Sequence, residues 1–223
     1  MKMITTVGVT AVAVSIVLAG CTPTTEQAAT VTPTAPPTIW TGKPPPPRDN
    51  ATLNQYIVDN KIGEFPVKAN EPGTPKFDFP FPPDWRDAGD DTPDWAYGAI
   101  VYDQAVDPAD PPFIYAIAVK LTGDVDPAKI LQLAPGQLND LPEFTPIGEP
   151  EMDTFDGFDA IDYVGTYVWE GKQRAVGQQT IVVPGKDGLF VLQLNGEAPA
   201  GQEQVVIDAA NLIREQTTVT LPS

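Results

Sequence analysis

The chain contains no histidine, one cysteine and two serines in 223 residues, and 13 Lys+Arg against 30 Asp+Glu. Each shortage removes a class of chemistry. Without histidine there is no general base for a Ser-His-Asp triad. One cysteine and no histidine cannot supply the ligands of a structural or catalytic zinc site, and a lone thiol forms no disulfide within the chain. The serines, Ser15 and Ser223, stand near the two ends, which argues against a serine hydrolase. A net charge of -17 repels nucleic-acid phosphate rather than neutralising it, so no nucleic-acid partner is expected. No catalytic residue, metal site or cofactor is nominated. What is present is 42% apolar residues and 26 prolines. A chain of this length can bury a sizeable core in one domain.

The N-terminus reads as a targeting segment. Lys2 supplies the positive end, and Ile4 to Leu18 carries no charge. As a helix that run reaches roughly 22 Å, short of the roughly 30 Å hydrocarbon core. The pattern is that of a cleaved signal peptide over residues 1–20 rather than a spanning helix. It ends in Leu18-Ala19-Gly20-Cys21, which resembles the bacterial lipobox. That resemblance implies cleavage before Cys21 and a diacylglyceryl thioether on its sulfur, with the protein held on the outer face of the cell membrane. The alternative is an ordinary secretory signal followed by an incidental thiol. Two or three acyl chains, at about 0.8 kcal/mol per buried CH₂, anchor a protein stably. Loss of Lys2 with the signal leaves 12 basic residues against 30 acidic ones, a net charge of -18.

Residues 21–50 form the lipidated cysteine and a tether rich in Thr, Pro and Ala, with Pro44 to Pro47 near its end. Such a composition buries no core and favours extended polyproline II. Thr with Pro is also the composition of O-glycosylated stalks. Trp40 is the one bulky aromatic there.

The domain is placed at residues 51–220. Leu53, Tyr56 and Ile57 have helical spacing, with Asn50 or Thr52 as cap and Gly63 as stop. Phe65 to Trp85 carries six prolines and reads as irregular coil. Trp95 to Tyr102 and Phe113 to Leu121 read as strands apolar on both faces, hence covered on both sides. Asp126-Pro127 opens a helix through Leu133, interrupted at Pro135-Gly136. Phe158 to Trp169, Gln173 to Val183 and Leu189 to Leu194 read as three antiparallel strands joined by turns at Glu170-Gly171 and Pro184 to Gly188. A helix with an apolar stripe of Val205, Val206, Ala209, Leu212 and Ile213 ends the domain. The class is α+β, an antiparallel sheet flanked by helices.

Three groups of side chains carry candidate chemistry. Asp87, Asp90, Asp91 and Asp94 crowd one loop, and Asp153, Asp156, Asp159 and Asp162 recur every third residue. Carboxylates bind calcium when they converge, or act in pairs on glycosides. Three-residue spacing alternates sides on a strand, so the second set is expected not to converge. The aromatics either form the core or line an apolar pocket with a few orienting polar groups. The candidates for such a pocket are Trp85, Trp95, Tyr97, Tyr167 and Trp169. Arg86, beside Trp85, is added as a bidentate holder for an anionic or dicarboxylic group, or as the partner of nearby aspartates. Gly98 and Gly165 are placed to leave room for a ligand or for a neighbouring helix. Lys172 and Arg174 are expected in water near a hairpin tip.

Five stretches carry a family resemblance: Leu53 to Ile57, Pro83 to Trp85, Thr92 to Tyr102, Leu121 to Leu131 and Pro184 to Leu194. Together they resemble the LpqN/LpqT-type lipoproteins of mycobacteria and related actinobacteria, over about Leu53 to Thr218. The resemblance implies an α/β/α sandwich similar to the Mog1/PsbP fold, with helices on both faces of the sheet. It also implies a non-enzymatic envelope protein that handles a small amphipathic or acidic metabolite or assists an envelope lipid transporter. The competing expectation is a protein–protein interaction module, an envelope scaffold or a binder of a host partner, with no small ligand. An apolar pocket of several hundred Å³ favours the first reading and a solid surface the second.

Overall fold

The computed structural model describes residues 52–222. The expected signal segment, residues 1–20, and Cys21 with the expected tether, residues 21–50, lie outside the described residues. In chain order the elements are α1 (Leu53–Asp59), β1 (Gly63–Pro66), β2 (Lys76–Asp78), β3 (Trp85–Asp87), a 3-10 turn (Gly89–Asp91), β4 (Gly98–Tyr102), β5 (Phe113–Thr122), α2 (Pro127–Leu133), α3 (Gly136–Asn139), β6 (Thr145–Pro146), β7 (Glu151–Phe155), β8 (Phe158–Trp169), β9 (Lys172–Gly185), β10 (Gly188–Pro199), α4 (Glu203–Gln216) and β11 (Thr218–Thr220). The class is α+β. One antiparallel sheet runs β3-β4-β5-β10-β9-β8-β6, with β1 on β5, β7 on β8, and a separate β11–β2 pair.

Local chemistry accounts for the frame. Thr52 caps α1 by accepting from the Gln55 N–H at 3.2 Å, and Asp126 caps α2 by accepting from Ala128 N–H at 2.9 Å. Each cap satisfies a donor that has no partner inside the helix. Glu170 and Gly171 both have positive φ, 49° and 75°, as a two-residue hairpin turn with the twist of its strands requires. That turn puts Trp169 opposite Lys172 and sets the β8–β9 register through to Ala160 opposite Ile181. A strand alternates sides, so this register assigns every side chain of β9 to one face or the other.

On one face, Ile114, Ala116, Ala118, Ala160, Ile181, Val183, Phe190 and Leu192 pack with Ala209 and Ile213 of α4. On the opposite face, Leu121, Val182, Leu189 and Val191 pack with Leu53 and Ile57 of α1 and Ile130, Leu131 and Leu133 of α2. A smaller cluster of Leu138, Phe144, Tyr163, Tyr167 and Val176 extends that second face. Leu121, Ile130, Ile181 and Leu192 are fully buried, each removing side-chain surface worth about 1.5–3 kcal/mol from water.

The structure departs from the sequence reading in short elements. The proline-rich stretch is not all coil: it contains β2 and is bounded by β1 and β3. Strands of three or four residues between prolines are too brief to show alternation. The chain leaves α1 at Asn60, whose side chain donates to Tyr56 O at 2.9 Å, and Lys61 takes the left-handed turn at φ 53°. Gly63 therefore starts a strand instead of stopping the helix. β4 begins at Gly98, because Trp95 and Ala96 belong to a turn closed by Ala96 N–H donating to Pro93 O. β10 runs on to Pro199, where Asn195-Gly196-Glu197-Ala198 carries no apolar run to mark it.

Candidate functional site

The β9–β10 ladder sets Gly177 opposite Gly196 and Ala175 opposite Ala198. By alternation all four face α4, on the same side as Ile181 and Leu192. Four small residues in two neighbouring rows leave a hollow. It is a crevice of about 480 Å³, floored by these residues with Leu194 and Ile114, and roofed by Val206, Ile207, Ala210 and Ile213 of α4. The helix does not lie evenly over the floor. A Cβ on Gly196 would stand 2.6 Å from Val206 Cγ1, whereas one on Gly177 would meet Val164 Cγ1 at an ordinary 3.4 Å. α4 therefore closes on β10 and stands away from β9 and β8. At that open side Ile147, Val164 and Ile207 are 60%, 44% and 49% exposed, and all three line the crevice.

The crevice has a polar end formed by Asp162, Gln179 and Arg214. Arg214 Nη1 donates to Asp153 Oδ2 at 2.6 Å, and the Asp153 and Asp162 carboxyls lie close enough to perturb each other. The hydrogen bond from Arg214 holds Asp153 below the ordinary carboxylate range. Burial, with the Asp153 charge next, pushes Asp162 up to about 6. Two of the four evenly spaced aspartates thus do converge, against expectation. They lie on different strands of the β7–β8 hairpin, with Asp153 opposite Ala160 and Glu151 opposite Asp162. Spacing along one strand does not predict contacts across a turn. Asp156 instead accepts from Val219 N–H at 2.7 Å. Among the described residues no group of three or more acidic side chains is arranged to hold a metal ion.

A second hollow of about 340 Å³ shares Ile114, Leu194 and Ile213 with the crevice and is walled by Phe77, Phe79, Phe81, Tyr97, Gly98 and Ile100. Gly98 opens it: nothing lies within 4 Å of where its Cβ would be. Gly165 makes room for a loop residue rather than a helix, since the Phe144 ring fills its Cβ position at 2.4 Å.

The six candidate residues do not form one cluster. Tyr97 lines the second hollow, edge-on to Phe77 at 5.5 Å. Trp85 is buried in the α4-side core and packs on Tyr102 at 5.6 Å. Arg86 is about half exposed, and its Nε pairs with Asp103 at 2.8 Å. Trp95 packs on Tyr115 at 5.4 Å with rings perpendicular, and its buried indole N–H has no hydrogen-bond acceptor. Tyr167 and Trp169 line a separate pocket on the face away from α4.

That face holds what the sequence reading missed. Arg174, Gln178 and Thr180 of β9 and Gln193, Asn195 and Glu197 of β10 are all buried. Gln137 of α3 accepts from Gln193 at 2.8 Å and from Gln178 at 3.3 Å, and Gln178 donates to Asn195 at 2.9 Å. Arg174 is not in water: it bonds Asp110 and lies 3.5 Å from Glu197, while the Tyr167 hydroxyl donates to Glu197. Burial raises the Glu197 carboxyl above its usual range. Lys172 is exposed, as expected. The signal for this layer is present in the sequence as polar residues at alternate positions on two neighbouring strands. It reads as a solvent face unless α3 is known to lie over it.

Among the described residues no helix is long and apolar enough to cross a membrane. The family model described as probable lipoprotein LpqN matches residues 49–220. Lipoprotein LpqN of Mycobacterium tuberculosis (strain ATCC 25618 / H37Rv) is 48% identical over 171 residues, covering 77% of this chain and 75% of that protein. A crystal structure of LpqN, described as involved in cell envelope biogenesis of Mycobacterium tuberculosis, matches with a TM-score of 0.73 over 78% of this chain and 99% of that one. With most of its length matched in both sequence and fold, this chain belongs to the LpqN family of lipoproteins.

Proposed function

We propose that this protein is a non-enzymatic envelope lipoprotein, anchored on the outer face of the cell membrane through acylated Cys21, that holds an amphipathic envelope metabolite in the α4 crevice. The observation that carries this reading is the crevice itself, about 480 Å³. That volume lies in the range of small-molecule sites, about 300–1,000 Å³. Its apolar floor suits a hydrocarbon body. Asp162, Gln179 and Arg214 at one end suit a polar head with both donors and acceptors. A cavity of this kind favours ligand binding over a pure interaction module. Presenting the ligand to a lipid-exporting transporter is the accessory role consistent with a tethered domain. The Mog1/PsbP-like arrangement belongs to the same proposal and is supported by α4 packing on one face and α1 and α2 on the other.

Native mass spectrometry of the gently purified full chain tests it. The expected result is a co-purifying amphiphile that is lost in Gly177→Leu, a substitution with room for its Cβ but whose side chain fills the crevice. Finding no amphiphile in the wild type, or the same one in Gly177→Leu, refutes the crevice as its seat. Cys21→Ala is expected to release the protein from membranes into the soluble fraction; full membrane retention of that variant refutes the lipid anchor.

A further inference from the structure

The pocket beside Trp169 lies on the opposite face of the sheet from the crevice and has an unbalanced charge. Its base is made by Glu197 and Arg174, whose side chains are each 6% exposed, and by Asp110 at 23%. Two largely buried carboxylates face one guanidinium, and Glu170 at the rim adds a third acidic group. Phe113, Tyr167 and Trp169 wall a space of about 310 Å³. A buried charge that lacks a partner is costly. Here the missing positive charge is supplied by Lys172, whose ammonium stands 3.7 Å from Asp110 Oδ2 on a side chain 67% exposed. That is too long for a hydrogen bond, and the side chain is free to swing into water. Lys172 and Asp110 also line the neighbouring hollow of about 380 Å³, so their contact stands between the two spaces. Aromatic walls with a carboxylate base are the chemistry that recognises an organic cation.

We propose that the Trp169 pocket binds an organic ammonium group, which takes the place on Asp110 that the Lys172 ammonium now holds. The ligand carries one ammonium, because it replaces the single positive charge that Lys172 sets beside Asp110. Its source is either a free amine or the amine headgroup of a lipid. Lys172 acts as the internal competitor, and its removal strengthens binding.

The test titrates the full chain with n-butylammonium and follows the Trp169 indole N–H resonance by NMR, with butyrate and 1-butanol as charge controls. The expected result is a saturable shift with n-butylammonium alone. Asp110→Asn weakens it about tenfold, as loss of a charged hydrogen-bond partner does, and Lys172→Met tightens it severalfold. Lys172 sits at the exposed rim and Asp110 in the base, and an unchanged amide spectrum in each variant verifies the fold. Dihexanoyl phosphatidylethanolamine saturating at lower concentration than n-butylammonium identifies a lipid headgroup as the source; the reverse order identifies a free amine. A shift with butyrate but not n-butylammonium, no saturation by n-butylammonium in Lys172→Met, or weaker binding in that variant overturns the proposal.

Discussion

Strands β9 and β10 turn Ala175, Gly177, Gly196 and Ala198 toward α4, and Arg174, Gln178, Asn195 and Glu197 away from it. The two sets interleave residue by residue along the same backbone, yet they build opposite environments. The α4 face is underfilled and holds an apolar crevice. The other face buries amides that bond one another beneath α3, and beside them charged groups that line a smaller aromatic pocket. The first face keeps space at the expense of packing contacts, since a hollow forfeits the attraction of missing neighbours. The second keeps buried polar groups, which are stable only while every member has its partner. The faces should therefore fail in different ways: the polar face by losing one member, the apolar face by gaining atoms.

The largest effect is expected on the polar face. Arg174→Met strands Glu197 and Asp110 without their guanidinium and should lower unfolding stability by about 3–5 kcal/mol, read from chemical denaturation. A loss below 1 kcal/mol would mean that the carboxylates take up protons or water at little cost, and that this face does not depend on its ion pairs. Next is Gly196→Val, whose Cβ would stand 2.6 Å from Val206 Cγ1. It should lift α4 and cost about 1–3 kcal/mol, whereas a substitution at Gly177 should alter ligand retention with little change in stability. Equal losses at both positions would contradict the uneven seating of the helix.

A smaller effect separates the faces by pH. The folded-state value of Asp162, about 6, exceeds the unfolded value of about 3.9. The folded state therefore holds the proton more tightly. Its contribution to stability is complete below about pH 3.9 and is lost as pH rises through 6. Asp162→Asn should stabilise the protein at pH 7.5 by about 1 kcal/mol, a figure discounted for partial exposure, and should make no difference at pH 3.5. Destabilisation at pH 7.5 would show that Arg214 outweighs burial and Asp153 at this carboxylate. The smallest effect is at Arg86, whose pair with Asp103 is exposed on both sides. Arg86→Ala should cost less than about 1 kcal/mol in thermal unfolding, and a larger cost would place that pair in a role the geometry does not show.

Much of the fold is legible in local residues. The β8–β9 turn follows from Glu170-Gly171, α2 from Asp126-Pro127, and α4 from its apolar stripe. β1, β2, β3, β6 and β7 are not legible, because two to five residues carry no period. The site is legible only in part. Gly98 and Gly165 look alike in sequence, each inside a strand run, and only their neighbours distinguish an open hollow from one filled by Phe144. Trp95, Tyr97, Tyr167 and Trp169 advertise aromatic walls without saying which share a face. Asp153 and Asp162 diverge by their spacing along one strand, and the hairpin brings them together.

The sequence by itself determined which residue types this protein lacks, its acidity, the element types with strong periodicity, and the resemblance that proved to be its family. These properties reside in single residues or in short neighbourhoods, so no distant contact is needed to read them. The tertiary structure decided where small residues become a crevice, which carboxylates come together, and that Arg174 is buried rather than bathed in water. Those outcomes depend on strand register and on which helix lies over which face, and both are set by residues far apart in the chain.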